Sequence, residues 1–296
     1  MSQSHPEPLV WLITGTSTGF GHLFALTALA RGDHVLATSR RATTRPELIS
    51  LREKGAHLID LDVTASKTEI EKVVNEALKV YGRVDVLVNN AGYVEMSIVE
   101  ELEEEKLMNQ LQTNFFGAQR ITQALLPHFR TRRTGKIAFI GSIFGLYAMP
   151  MTFPYSASKF LLAAYNEALN AEMGQFGVKS ILFDIGHFRT GVVGHAKFSV
   201  SGEEDYAGLM GVLAESSQKM NGAQPGDPEK GVKVMVDVIR EEGKAKGRKW
   251  PLRVPVGGDA VEVARGRGRE IVGAVEEWEG VVGGAETDFE GVINQK

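Results

Sequence analysis

In the stretch "YSASK", Tyr155 and Lys159 stand four residues apart, a spacing that lays a phenol and an ammonium one turn apart on one face of a helix. A free phenol, with a pKa of about 10, holds its proton at neutral pH and is a poor base. A neighbouring cation favours the phenolate and pulls that pKa down, so such a tyrosine can both give and take a proton. The same spacing also suits two solvated residues opening an amphipathic helix. Ser142 closes the apolar run "GKIAFIGS" 13 residues before the tyrosine. A reacting oxygen that gains a proton requires an acid within reach, and a hydroxyl beside it can orient the group and stabilise developing charge.

Upstream, "TGTSTGFG" places Gly15, Gly19 and Gly21 at the spacing GxxxGxG between an apolar run and a helical pattern. Glycine at a strand-to-helix turn permits positive φ and close backbone approach, and the free N–H groups of the helix start suit a pyrophosphate. The spacing differs from the GxGxxG fingerprint. The second strand ends "ATSRR", with Ser39 where an acid would meet the ribose of NAD, followed by Arg40 and Arg41. Arginine suits the 2′-phosphate of NADP, which a carboxylate would repel. The expected cofactor is therefore NADP(H) rather than NAD(H).

These residues need a scaffold that brings strand ends together. Short apolar runs at 9–15, 34–38, 56–63, 84–92, 135–142 and 178–186 alternate with helix-like segments, and a seventh candidate, "PLRVPVG", lies at 251–257. That alternation predicts one α/β domain over 1–296: a doubly wound, Rossmann-type, mostly parallel seven-stranded sheet with helices on both faces. Residues 1–8 read as a flexible start. The stretch 191–250 reads as a substrate lid or an ordinary crossover helix with its loops, and 258–296 as a charged extension with a helix around "REIVGAVEEWE".

The 296 residues are 43% hydrophobic and 24% charged, with a net charge of -4 and no cysteine. That balance is globular and gives no basic footprint for nucleic acid. It excludes disulfides, thiolate metal sites and cysteine nucleophiles. With no apolar run of about 18 residues and no apolar core of a secretory signal near residue 1, the reading is a soluble, cytoplasmic protein without membrane insertion or a metal.

Taken together, "TGTSTGFG", "LDV" at 61–63, "NNAG" at 89–92, Ser142 and "YSASK" resemble the short-chain dehydrogenase/reductase superfamily over roughly 9–257. Within it, "VLATSRR" and "PLRVPVG" are similar to the 17β-hydroxysteroid dehydrogenase-like group. The resemblance implies a catalytic set of Asn114, Ser142, Tyr155 and Lys159. Asn114 would hold a water in a proton relay, Ser142 would bind the substrate oxygen, Tyr155 would move the proton, and Lys159 would bind the nicotinamide ribose and lower the tyrosine pKa. It further implies a cofactor site of Gly15, Ser17, Thr18, Gly19, Phe20, Gly21, Ser39, Arg40, Asp62, Val63, Asn89, Ala91, Gly92, Tyr155, Lys159, Gly186, Phe188 and Thr190. Asp62 and Val63 would contact the adenine, and Asn89, Ala91 and Gly92 would line the adenosine side and hold the central strand.

Where the family carries Pro-Gly-x-x-x-Thr, this chain reads "DIGHFRT", with Ile185 in the proline position. Losing proline frees φ and restores an N–H donor, so either the isoleucine simply occupies the same place or the backbone there is held less rigidly. His187 reads as a packed or solvated residue or as a substrate ligand. The uncharged loop "FGLYAMPMTFP" joins Ser142 to Tyr155 and suits a hydrophobic aryl, polycyclic, steroid-like or polyketide-derived ketone or secondary alcohol. Two other readings remain open at this level: a non-redox dehydratase, isomerase or cyclase, and a silent NADP-binding regulatory protein. The helices over 101–127 and 157–174 resemble those through which relatives form homodimers or homotetramers.

Overall fold

The computed structural model describes residues 7–192, 194–199 and 202–283. β1 (Val10–Thr14) is buried at every position, as an unbroken apolar run must be when helices cover both faces of a sheet. It is joined by β2 (His34–Ser39), β3 (His57–Asp60), β4 (Val86–Asn89), β6 (Gly135–Ile140), β7 (Val178–Ile185) and β9 (Arg253–Val256) in the order β3-β2-β1-β4-β6-β7-β9. Every neighbouring pair is parallel. Two-residue strands β5 (Glu95–Met96) and β8 (Lys197–Phe198) form a separate parallel pair above the sheet.

The period-2 alternation of each strand divides the core. Trp11 and Ile13 face α1 (Gly19–Ala30), α2 (Ile49–Glu53) and α8 (Pro228–Arg240). Val10 and Leu12 face α3 (Lys67–Tyr81), α5 (Gly117–Arg132) and α6 (Phe153–Met173). α3 begins where its sequence signals it, with Ser66 and Glu69 forming a reciprocal capping box, and stops at left-handed Gly82, so local chemistry sets its ends. Strand order reverses between β1 and β4, which opens a crevice beyond their carboxyl ends where open α/β sheets bind ligands.

The expected lid at 191–250 divides into two parts. α8 is a true crossover helix, with Val232, Met235, Val236 and Ile239 fully buried against α1. Residues 197–199 and 202–220 form a flap instead. The sequence shows no strand there, yet β8 pairs with β5, because Lys197 and Ser199 donate backbone bonds to the carbonyls of Val94 and Met96. Beyond the flap's α7 (Ala207–Met220), which buries no residue, the chain returns to the sheet.

The charged extension is a helix, α9 (Gly258–Val282), longer than its charge pattern indicates. Residues 284–296 of that extension, and 1–6 of the expected flexible start, lie outside the described residues; Pro8 accepts a bond from Arg83. No described helix is long and apolar enough to cross a membrane.

Candidate active site

At the crevice, Gly15 and Gly19 adopt φ of +70° and +58°, conformations costly for any residue with a Cβ. A Cβ on Gly21 would overlap the Gly15 carbonyl oxygen and the Asn90 amide, so glycine is required for the helix to start this close to the strand. Thr18 caps α1 without a side-chain hydrogen bond, and no acid stands in the first turn. The uncapped N–H groups and the positive end of the helix dipole are therefore left for an anion. A cleft of about 500 Å³ borders this turn, lined among others by Ser17, Thr18, Gly19, Arg189 and Thr190.

The loop is tied down by two residues that the sequence reading passed over. Asn90 donates its amide to the carbonyls of Thr14 and Gly15 at 2.8 and 3.1 Å, and the Thr14 hydroxyl accepts from the N–H groups of Asn90 and Ala91. A doubled asparagine at a strand end was the available signal. Asn89 points the other way: its amide donates to Thr122 of α5 at 3.0 Å, and its Oδ1 is buried without a partner. Its side chain thus fastens β4 to α5. Phe20 and Phe188 meet edge-to-face at 5.3 Å beneath the loop, both in the core. They support the site from below.

At the end of β2, Ser39 is buried and Arg40 and Arg41 are exposed. Neither guanidinium forms an ion pair among the described residues. The nearby Asp60 is occupied by the Thr43 N–H and hydroxyl at 2.8 and 3.0 Å. Asp62 accepts from Thr64 N–H at 2.9 Å, and Val63 packs against Gly117. Uncapped helix, glycine cradle and unpaired arginines together fit a dinucleotide phosphate chain.

The chemistry-bearing side chains lie at the ends of β6 and α6. Lys159 is 6% exposed, donates to the Ile140 carbonyl at 2.7 Å, and holds its ammonium 5.4 Å from the Tyr155 ring centre. Burial pulls its pKa down to about 8, opposed by the charge of Asp184. Burial also pushes the Tyr155 phenol up to about 12, with a hydrogen bond to Ser142 acting the other way. A lowered phenol pKa is expected from the lysine together with the positive charge of an oxidised nicotinamide; with the lysine alone, desolvation of the phenolate outweighs its stabilisation. Such a phenol remains a protonated donor. Ser142 also accepts from Phe144 N–H at 3.2 Å, which fixes the start of the apolar loop.

Asn114 sits in a π-helical turn, Gln112–Phe116, between α4 (Glu104–Leu111) and α5, a distortion often found at functional sites. Its side chain accepts from Tyr93 N–H and donates to the Tyr93 carbonyl, each at 3.0 Å, and donates to Ser158 at 3.1 Å. Ser158 in turn donates to the Tyr155 carbonyl at 2.6 Å. The asparagine therefore braces the backbone behind the tyrosine, and Gly92 leaves it room.

Ile185 continues β7 in register with Val256 of β9, and Gly186 N–H donates to the Val256 carbonyl at 2.9 Å. Strand pairing fixes the backbone here in place of the proline ring, in keeping with the reading that the isoleucine simply occupies the same place. A Cβ on Gly186 would overlap the Asp259 carboxylate, which accepts from the His187 N–H and ring at 2.7 and 2.9 Å. His187 is thereby anchored to the first turn of α9, with its ring 6.3 Å from that of Phe144. A further ion pair joins Arg253 to buried Asp184, and Arg253 also donates to the Gly145 carbonyl at 2.8 Å. Sequence reading had no signal for this pair, because its members lie on two strands 69 positions apart.

A parallel sheet with a glycine-cradled anion site at its switch point, beside a half-buried tyrosine and a buried lysine and serine, defines a nicotinamide-nucleotide-dependent oxidoreductase. The short chain dehydrogenase family profile matches residues 9–198. An oxidoreductase of Botryotinia fuckeliana, BOA17, is 30% identical over 90% of this chain and 95% of its own. The 3-ketodihydrosphingosine reductase of Bacteroides thetaiotaomicron is 35% identical over 74% of this chain and 80% of its own. Among solved structures, a short-chain dehydrogenase from Streptomyces avermitilis superposes with a TM-score of 0.82 at 37% identity, covering 95% of this chain and 98% of that one. The chain belongs to the short-chain dehydrogenase family.

Proposed function

We propose that the protein is an NADP(H)-dependent reductase of a hydrophobic ketone, or the dehydrogenase of the matching secondary alcohol. The observation that carries this reading is the half-buried Tyr155 beside buried Ser142, with the buried Lys159 ammonium 5.4 Å from its ring centre. Bound NADPH would supply the hydride. Ser142 holds the carbonyl oxygen by a hydrogen bond, and Tyr155 delivers the proton that the oxygen gains. The nearby Lys159 charge stabilises the phenolate left behind. Asn114 keeps the backbone behind the tyrosine fixed and has a second proposed role, ordering a water that returns the proton.

Phe144 forms the apolar wall. Its ring lies 6.1 Å from Tyr155, 5.5 Å from Tyr147 and 6.3 Å from His187, while Met151 belongs to the core. An uncharged aromatic wall beside the proton donor favours a bulky apolar ketone. The similarity to a relative named as a ketone reductase supports the same class. Cofactor choice rests on the unpaired Arg40 and Arg41. Association into homo-oligomers rests on Met108, Phe160 and Leu161, exposed on α4 and α6.

Following NADPH absorbance with a panel of aryl and long-chain ketones tests the reading. Turnover abolished by Tyr155→Phe supports it, and binding without turnover across the panel defeats it. Arg40→Ala should weaken NADPH far more than NADH; equal losses would reverse the cofactor assignment.

A further inference from the structure

From Arg265 onward α9 leaves the domain, and residues 268–282 are exposed throughout. Ile271, Val275 and Trp278 nevertheless remain apolar, at 53%, 55% and 53% exposure. Their spacing extends backward to Val261, Ala264 and Gly268, an alternation of three and four residues that marks the seam of a coiled coil. Gly266, Gly268 and Gly273 meet nothing within 4 Å that a Cβ would strike. Among the described residues nothing packs against these positions, and a glycine-rich exposed helix is poorly supported by propensity alone.

Charge along α9 is segregated. Arg265, Arg267 and Arg269 occupy its first exposed turns, and Glu276, Glu277 and Glu279 its last. Among the described residues, Arg265 and Arg267 reach only Glu262 and Glu270, at 3.0 and 2.8 Å. A second copy laid parallel would set arginines beside arginines and glutamates beside glutamates. Laid antiparallel, it sets each basic end against an acidic end. The same register, centred on Gly273, places Ile271 opposite Val275 and the indole of Trp278 opposite Gly268. Each large side chain then meets a smaller one or none, and a notch already exists at Gly268, lined by Arg265, Arg269, Val272 and Glu276. At the seam's edge, Arg265 meets Glu279 of the partner subunit, and twofold symmetry makes that contact twice.

We infer that α9 is a self-association surface, on which two copies of this chain pair their C-terminal helices antiparallel about Gly273. This surface is separate from α4 and α6. It also bears on the active site, because Asp259 in the first turn of the same helix holds His187. Fixing the far end of α9 in a dimer steadies the end that supports that loop.

Light scattering on the eluted full chain tests this, independently of any catalytic assay. The unmodified chain should run as a dimer or tetramer, and Ile271→Glu with Trp278→Glu should halve its mass. Both positions are exposed, so an unchanged melting profile of the monomer fraction separates lost association from lost folding. Arg265→Glu alone and Glu279→Arg alone should each weaken association, and the two combined should restore it. The chain has no cysteine, so Val272→Cys, beside its own mate across the twofold, should give a disulfide-linked dimer on mild oxidation, and Gly268→Cys should not. An unmodified chain that is monomeric, a mass untouched by the glutamate substitutions, or a link through Gly268→Cys in place of Val272→Cys would overturn the inference. Monomers that sediment with lipid vesicles through Trp278 would overturn it in favour of a membrane surface.

Discussion

Lys159 is a buried ammonium whose pKa has fallen to about 8 from 10.5. Because the folded value lies below the unfolded one, the unfolded chain binds the extra proton between them. The lysine's contribution to stability is therefore least favourable below about pH 8 and improves as pH rises toward 10.5. Denaturant titrations from pH 7 to 10.5 should show the unmodified protein gaining roughly 2–3 kcal/mol relative to Lys159→Met. The same titration bears on catalysis. Ketone reduction should decline as pH rises through about 8, when the charge that stabilises the phenolate is lost, and a flat profile from pH 7 to 9 would deny Lys159 that role. Gly21 is a second single-residue test. Gly21→Ala forces a Cβ onto the Gly15 carbonyl, so cofactor affinity should fall at least tenfold, equivalent to about 1.4 kcal/mol.

Between elements, the join of β7 to β9 matters most for the site. Arg253 neutralises Asp184, which is 1% exposed, and also holds the loop after Ser142 through the Gly145 carbonyl. Removing Arg253 leaves the Asp184 charge facing Lys159 alone, and because Arg253 is partly exposed the cost falls short of the roughly 3–5 kcal/mol of a fully buried pair. Arg253→Met should therefore lower the denaturation midpoint, and Asp184→Asn with Arg253→Met should recover part of the loss. In α9 the sign reverses. Gly273→Ala lies away from the apolar seam and meets open space, so it should stabilise the helix by about 1 kcal/mol, read as increased amide protection over 268–282.

Across the whole molecule, the end of the sheet opposite the crevice is clamped by Asp85. Burial acts to raise its pKa, but the Val10 N–H, Arg83 and Arg132 outweigh it and leave the carboxyl below its ordinary range. A depressed folded pKa gives stability that is present above the unfolded value and lost as pH falls through the folded one. Asp85→Asn should therefore be less stable than the unmodified protein at pH 7, with the difference closing below about pH 4. Since the clamp lies at the far end of the sheet, NADPH affinity should be unchanged.

All seven strands of the main sheet, their alternation with helices, and the positions of Gly15, Ser142, Tyr155 and Lys159 at strand ends and on one helix face were legible in the chain. Hydrophobic period and glycine placement are local properties, so a sequence carries them directly. What depended on the fold was long-range. Asn90 faces the glycine loop while Asn89 fastens β4 to α5, because the pleat sends neighbouring side chains to opposite faces. Strand pairing with β9 held Ile185 where a proline was missing, and β8 formed only because β5 was near enough to pair. The tyrosine's pKa moved opposite to what its lysine neighbour implies, since burial is a property of everything packed around a residue. Sequence by itself determined the fold class and which residues could do chemistry, through local pattern and spacing. Tertiary structure alone decided their protonation, their bracing and the exposed seam of α9, because desolvation and contact arise only when distant segments meet.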